Sequence, residues 1–140
     1  MLLVVGIDES EHAGHVVDRA IQEAELRGAE LHVVHVFHPP ILPYMGAPID
    51  MGALATAQRK AVWDRLEPHL AKAKMDVERV DLEGYPPDTL VDYVANTGAQ
   101  LLIVGSRGRG EIAALVLGST SHRAIHLANC DVLVVKPSHA

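Results

Sequence analysis

Residues Leu2 to Ile7 form a near-continuous apolar run that stops at Asp8. A strand with one wet face alternates apolar and polar residues, so an unbroken run reads as a strand buried on both faces of a parallel sheet. Parallel neighbours cannot be joined by a tight turn and need a crossover, usually a helix. The next residues supply one. Ser10 can cap a helix in which Ala13, Val16, Val17, Ala20, Ile21 and Ala24 fall on a single stripe, with Gly28 as its stop. Leu31 to Phe37 is β-branched and apolar apart from its histidines, a second strand that pairs parallel to the first through a right-handed crossover.

The alternation continues. Residues 38–53 hold Pro39, Pro40, Pro43, Gly46, Pro48 and Gly52, too many breakers for a helix or central strand. Its apolar residues, Ile41, Leu42, Tyr44, Met45, Ile49 and Met51, must cover something: either their own domain, or a lid or interface. A second helix is expected from about Leu54 to Lys74, kinked or restarted at Pro68, and a third strand from Met75 to Leu82. Pro87 suits the first turn of a third helix with Leu90, Val91, Val94 and Ala95 inside and Gly98 at its end. Leu101 to Val104 is strand four. A fourth helix follows with Leu117, Ser121, Ala124, Ile125 and Ala128 inside, and Val132 to Val135 is strand five. Five strands alternating with four helices specify an α/β, doubly wound, five-stranded parallel sheet with helices on both faces. Ligands of such sheets bind beyond the strands' carboxyl ends, near the switch point in strand order.

Length and composition bound the function classes. At 140 residues the chain reads as one domain, 1–140, and 49% hydrophobic with 21% charged residues is the balance of an ordinary folded protein. The longest apolar runs, such as Ile112 to Leu117, fall far short of the roughly 20 residues a bilayer crossing needs. The opening Met1-Leu2-Leu3-Val4-Val5-Gly6-Ile7-Asp8 lacks a basic leader, and a lone Cys130 excludes an internal disulfide, so a cytoplasmic location is expected. A formal charge of -6 without a basic stripe makes nucleic acid a poor partner.

The chemistry concentrates after strand four, where Gly105-Ser106-Arg107-Gly108 is followed by nine residues and then by Gly118-Ser119-Thr120-Ser121 opening a helix. Gly105 and Gly108 let the backbone pass close to a ligand with successive N–H groups converging on an anion. Gly118, Ser119 and Thr120 add helix-start amides, the positive helix end and two hydroxyls, a combination suited to a polyphosphate. Arg107 and Arg109 can neutralise phosphate charge or simply face solvent.

The Gly-x-x-Gly, nine-residue, Gly-Ser spacing resembles the nucleotide-binding signature of the universal stress protein family. The resemblance runs along the whole chain: Val-Gly-Ile-Asp-x-Ser at 5–10, His35-Val36 closing strand two, the Gly-x-Pro turn at Gly84 and Pro86, and Val-Leu-Val-Val-Lys-Pro at 132–137. It implies an adenine nucleotide alpha hydrolase-like sheet in the order 3-2-1-4-5 and membership of the ATP-binding subclass, with Mg²⁺ bridging the phosphates. By position it implies that Asp8 and Val36 flank the adenosine, that Val104 and Gly105 lie near sugar or base, and that Gly108, Gly118, Ser119 and Thr120 hold phosphates. Asp8, at the end of strand one, can accept hydrogen bonds from the adenine amine or a ribose hydroxyl, or can cap the next helix. The resemblance also implies a homodimer through Val132–Val135, which would otherwise leave an apolar edge strand open.

No nucleophile paired with a base emerges, so a regulatory nucleotide sensor is expected rather than a catalyst, with slow hydrolysis or self-phosphorylation at Ser119, Thr120 or Ser121 left open. Two other classes remain. A phosphoacceptor receiver domain shares the element count and a Lys-Pro after strand five (Lys136-Pro137), but wants its acceptor Asp closing strand three, where Asp81 sits inside or just before the end. An ATP-independent dimeric scaffold is the other. The histidines argue against a metal: His122 and His126 lie one helical turn apart, but Arg123 stands where a zincin helix carries its Glu, and His32, His35 and His38 do not share one strand face.

Overall fold

The computed structural model describes residues 1–38, 50–106 and 118–137. Among them, five strands and four helices alternate: β1 (Leu2–Ile7), α1 (Ala13–Arg27), β2 (Glu30–Phe37), α2 (Met51–Leu70), β3 (Val77–Glu83), α3 (Pro86–Thr97), β4 (Leu101–Gly105), α4 (Ser119–Leu127) and β5 (Asp131–Val135). All pairings are parallel and the order is β3-β2-β1-β4-β5. Receiver domains belong to doubly wound sheets of order 2-1-3-4-5, so the observed order discards that alternative. The chain winds outward from β1 to β3, then returns to place β4 on the other side of β1, which makes the β1–β4 pair the switch point.

Strict alternation sends side chains of the central strands to two separate cores. Leu3, Val5, Ile7, Leu31, Val33, Leu101 and Ile103 meet α1 and α2. Val4, Val34, Val36, Leu102 and Val104 meet α3 and α4. Both faces of β1 and β4 are thus dry, which accounts for their unbroken apolar runs. Each fully buried Leu or Ile contributes about 1.5–3 kcal/mol by leaving water.

The α1 stripe is buried as expected, and Gly28 closes the helix at φ 61 with its N–H on Ala24 and Glu25 carbonyls. Gly98 does the same for α3 at φ 71. A side chain resists that left-handed conformation, so the stops follow from backbone sterics.

Several boundaries differ from the sequence reading. Ser10 is not the cap of α1; His12 holds that position without a side-chain cap bond. Ser10 Oγ instead accepts from His12 N at 3.3 Å inside the preceding turn. The second helix begins three residues before Leu54, because Asp50 Oδ1 accepts from Ala53 N at 3.0 Å and caps it. A side-chain cap outweighed the helix-breaking cost of Gly52. That helix ends at Leu70 rather than Lys74 and runs as one element through Pro68, which lies close enough to the end to spare most of the ladder. Strand three is shifted to Val77–Glu83. Ala95 is exposed and Ile125 is 46% exposed, contrary to their expected inner placement. Only Pro87, Leu90 and Val94 of α3 and Ser121 and Ala124 of α4 are fully buried. A periodic stripe shows that a face is apolar, not how wide a strip of it the sheet reaches. The expected cover formed by residues 39–49, and Leu117, lie outside the described residues.

Candidate functional site

The carboxyl ends of β1, β2 and β4 converge with the start of α4 on a cleft of about 240 Å³. Its shape begins with β1. After Ile7 the chain turns, and Asp8 Oδ1 accepts from Ser10 N at 2.9 Å, a local side-chain bond that holds the turn open at the strand's end. Asp8, Glu9 and Ser10 therefore line the cleft mouth. The opposite wall is tied to the sheet by backbone bonds: Ser106 N donates to Val135 O at 2.8 Å, and Gly118 N donates to Ser106 O at 2.7 Å. Ser121, 1% exposed, donates from its hydroxyl to Gly118 O at 3.0 Å. These bonds bring the first turn of α4 to the end of β4 although residues 107–117 separate them in sequence.

Of the expected site residues, Asp8, Val36, Val104, Gly105, Gly118, Ser119 and Thr120 all line this one cleft. Arg107 and Gly108 lie outside the described residues. One detail is corrected: the Gly118 amide, expected to face an anion, is spent on Ser106 O. Ser119, Thr120 and Ser121 also line the cleft on that side.

The floor and sides are apolar, with Ile7, Val34, Val36, Leu90, Pro86 and Val104 among the lining. A lining that joins these apolar side chains to the carboxylates of Asp8 and Glu9 and to hydroxyls at a helix start suits a ligand with a ring, hydrogen-bonding hydroxyls and an anionic group. Among the described residues no group of three or more His, Cys, Asp and Glu side chains can hold a metal ion.

Sequence reasoning passed over Glu9, Pro86 and, above all, His35. The three histidines of the second strand separate as their spacing requires. His32 Nδ1 lies 2.7 Å from the Tyr93 hydroxyl, and His38 is exposed with Nδ1 3.2 Å from Gly84 O. His35 is 1% exposed and lines the cleft, between Asp81 and Glu9. The available signal was a polar residue inside a doubly buried apolar strand immediately before Val36. Asp81 lies inside β3, and Trp63 Nε1 is 3.0 Å from each of its oxygens. His122 and His126 stand edge to face at 4.8 Å on an exposed part of α4.

The model of the universal stress protein family matches residues 2–136. The chain belongs to that family. A universal stress protein encoded beside a QAH/OAS sulfhydrylase in Thermus aquaticus is 34% identical over 137 residues, covering 96% of this chain and 97% of the relative. A Mycolicibacterium smegmatis universal stress protein is also 34% identical across 96% of this chain, which spans only 45% of that longer relative. Among solved structures, a universal stress protein in complex with cAMP aligns with TM-score 0.70 and 31% identity, covering 99% of this chain and 98% of that one. The Archaeoglobus fulgidus universal stress protein in complex with dAMP aligns with TM-score 0.71 and 28% identity, covering 97% and 98%. No helix among the described residues is long and apolar enough to cross a membrane.

Proposed function

We propose that this universal stress protein is a cytoplasmic, single-domain regulatory protein whose ligand is an adenine nucleotide, ATP carried with Mg²⁺, bound in the cleft at the β1–β4 switch point. The observation that carries the reading is the convergence of Asp8, Val36, Val104, Gly105, Gly118, Ser119 and Thr120, far apart in sequence, on one cleft. Asp8 and Val36 would flank the adenosine, with Asp8 accepting from the ribose or the adenine amine, Val104 and Gly105 would lie near the sugar or base, and Ser119 and Thr120 would meet the phosphates. The complexes of similar structures with cAMP and dAMP support an adenine ligand. Binding would act by mass action, stabilising one conformation or one partner surface over others.

The test is calorimetric titration of nucleotide-stripped protein with ATP in Mg²⁺, repeated on Gly118→Val, which adds a branched side chain where α4 meets β4. Saturable binding that the variant loses supports the reading; the absence of any binding heat across several temperatures sinks it. A second reading, a homodimeric scaffold that needs no nucleotide, draws on β5. That strand is a sheet edge, and Val132, Leu133 and Val134 remain only half-buried. Pairing of two β5 edges would hide them. Both readings predict a homodimer through Val132–Val135, and light scattering that returned a monomer at micromolar concentration would count against it.

A further inference from the structure

His122 and His126 project from one face of α4, four residues and so about one turn apart. Both are exposed. Their rings stand edge to face with centroids 4.8 Å apart. A metal ion held at about 2.0–2.1 Å by one nitrogen of each of two imidazoles keeps the ring centres roughly 4.5–5 Å apart. The backbone of α4 therefore sets the separation that a two-histidine chelate needs. What remains is rotation about χ2, a broad and soft torsion for histidine, which turns one nitrogen of each ring toward a shared ion.

Two features of the surroundings favour a cation there. His126 lies in the last turn of α4, at the negative end of the helix dipole. Arg123 is the single Lys or Arg of α4, and its charge is drawn off toward α3. Its Nη2 donates to Asp88 Oδ1 at 2.9 Å and its Nε to the same oxygen at 3.2 Å.

We propose that His122 and His126 together bind a divalent transition-metal ion of the kind that prefers imidazole, Zn²⁺, Ni²⁺ or Cu²⁺, with water completing its coordination. The site is a surface clamp and not a catalytic zinc centre. No third His, Cys, Asp or Glu joins the pair among the described residues, and Arg123 occupies the position of a zincin glutamate. The inference is independent of the nucleotide reading. An ion bridging residues 122 and 126 ties one turn of a nine-residue helix that has no side-chain cap and buries only Ser121 and Ala124. The first turn of the same helix carries Ser119 and Thr120 into the cleft wall. The bridge exists only while that helix is formed, and an ion that binds the folded state in preference to the unfolded one stabilises it by mass action.

The test is calorimetric titration of the intact, nucleotide-free protein with Zn²⁺, then with Ni²⁺ and Cu²⁺, in a buffer that does not bind metal. His122→Ala and His126→Ala should each weaken Zn²⁺ binding at least about tenfold, because a chelate loses its advantage when either arm is removed. Cu²⁺ should bind the parent more tightly than Zn²⁺. Zn²⁺ should raise the melting temperature of the parent more than that of either variant, and EDTA should reverse the rise. Both side chains are exposed, so the variants should keep the parent's circular dichroism spectrum. A variant lacking both histidines that retains the parent's Zn²⁺ affinity and stoichiometry overturns the site. A loss confined to one of the two single variants overturns it as well, since one histidine would then bind without the other. Pulsed paramagnetic resonance of Cu²⁺ on the unaltered protein decides without any variant: two imidazole nitrogens are expected, and one alone refutes the chelate. No binding of any of the three ions at millimolar concentration also removes it.

Discussion

Replacing Gly6 with alanine puts a methyl group where Leu90 already stands. An ideal Cβ at Gly6 would lie 2.4 Å from Leu90 Cδ2 and 3.3 Å from Cδ1. Leu90 is 2% exposed in the α3 core and cannot swing into solvent. Overpacking of this kind costs about 1–3 kcal/mol. Alanine recovers roughly 0.4–1 kcal/mol by restricting the unfolded chain, so the net loss is about 0–2.6 kcal/mol. At this chain length a loss at the upper end of that range lowers Tm by about 10 °C. Leu90→Val shortens the offending side chain and by itself costs about 1 kcal/mol, as loss of a buried methylene does. Combined with Gly6→Ala it should relieve the clash, so the double variant is more stable than the sum of the two losses by at least about 0.5 kcal/mol. Thermal melts by circular dichroism, with denaturant titrations for the free energies, measure all four corners of the cycle. A Gly6→Ala protein more stable than the parent, or losses that simply add, would refute the claim that β1 and α3 approach this closely. Because Gly6 and Leu90 also line the cleft, the same variants show whether the α3 wall must stay in place for nucleotide to bind.

Two further expectations follow from individual contacts. A Cβ at Gly14 would meet the His69 ring at 2.4 Å, and that ring is held 2.8 Å from Asp18 Oδ1. Gly14→Ala should therefore fail to deliver the roughly 1 kcal/mol that alanine normally brings to a helix interior, and should deliver it once His69→Ala removes the ring; denaturant melts that show the full gain with His69 in place contradict the packing. Burial pushes the Cys130 thiol up, a Leu102 backbone hydrogen bond opposes this, and the Asp131 charge adds to the rise. A raised thiol leaves less thiolate at neutral pH, so Cys130 should react with a disulfide reagent several-fold more slowly than a small free thiol and speed up as pH rises; equal rates at pH 7 would show the site to be open.

The strands that run dry on both faces were legible because nothing else explains an unbroken stretch such as Leu2–Ile7 or Leu101–Val104. Helix stops at Gly28 and Gly98 were legible for an equally local reason, the left-handed backbone that glycine alone adopts freely. The second helix began early because capping by Asp50 is a contact of one side chain with one amide, weaker as a sequence signal than the Gly52 that seemed to forbid it. Ile125 and Ala95 were placed inside because periodicity assigns residues to a face, whereas the width of the buried strip depends on how α3 and α4 lie on the sheet. His35 read as a histidine with no site because its neighbours, Glu9 in the turn after β1 and Asp81 on β3, come from other parts of the chain.

By itself, the sequence determined the alternation of elements, the helix stops at Gly28 and Gly98, and the residue types gathered after strand four, since each depends on interactions within a few residues. The spacing of Gly105, Gly118, Ser119 and Thr120 pointed to an anion through backbone chemistry that is also local. That β4 lies on the far side of β1, which creates the switch point and so the cleft, was implied by the family resemblance but not by periodicity or local chemistry, and the tertiary structure bears it out. Only the tertiary structure decided that the Gly118 amide closes a bond to Ser106 rather than facing the cleft, and that a buried histidine stands between two acids at the cleft wall. These are outcomes of strand order and register, and they depend on contacts between segments whose separation along the chain leaves no periodic trace.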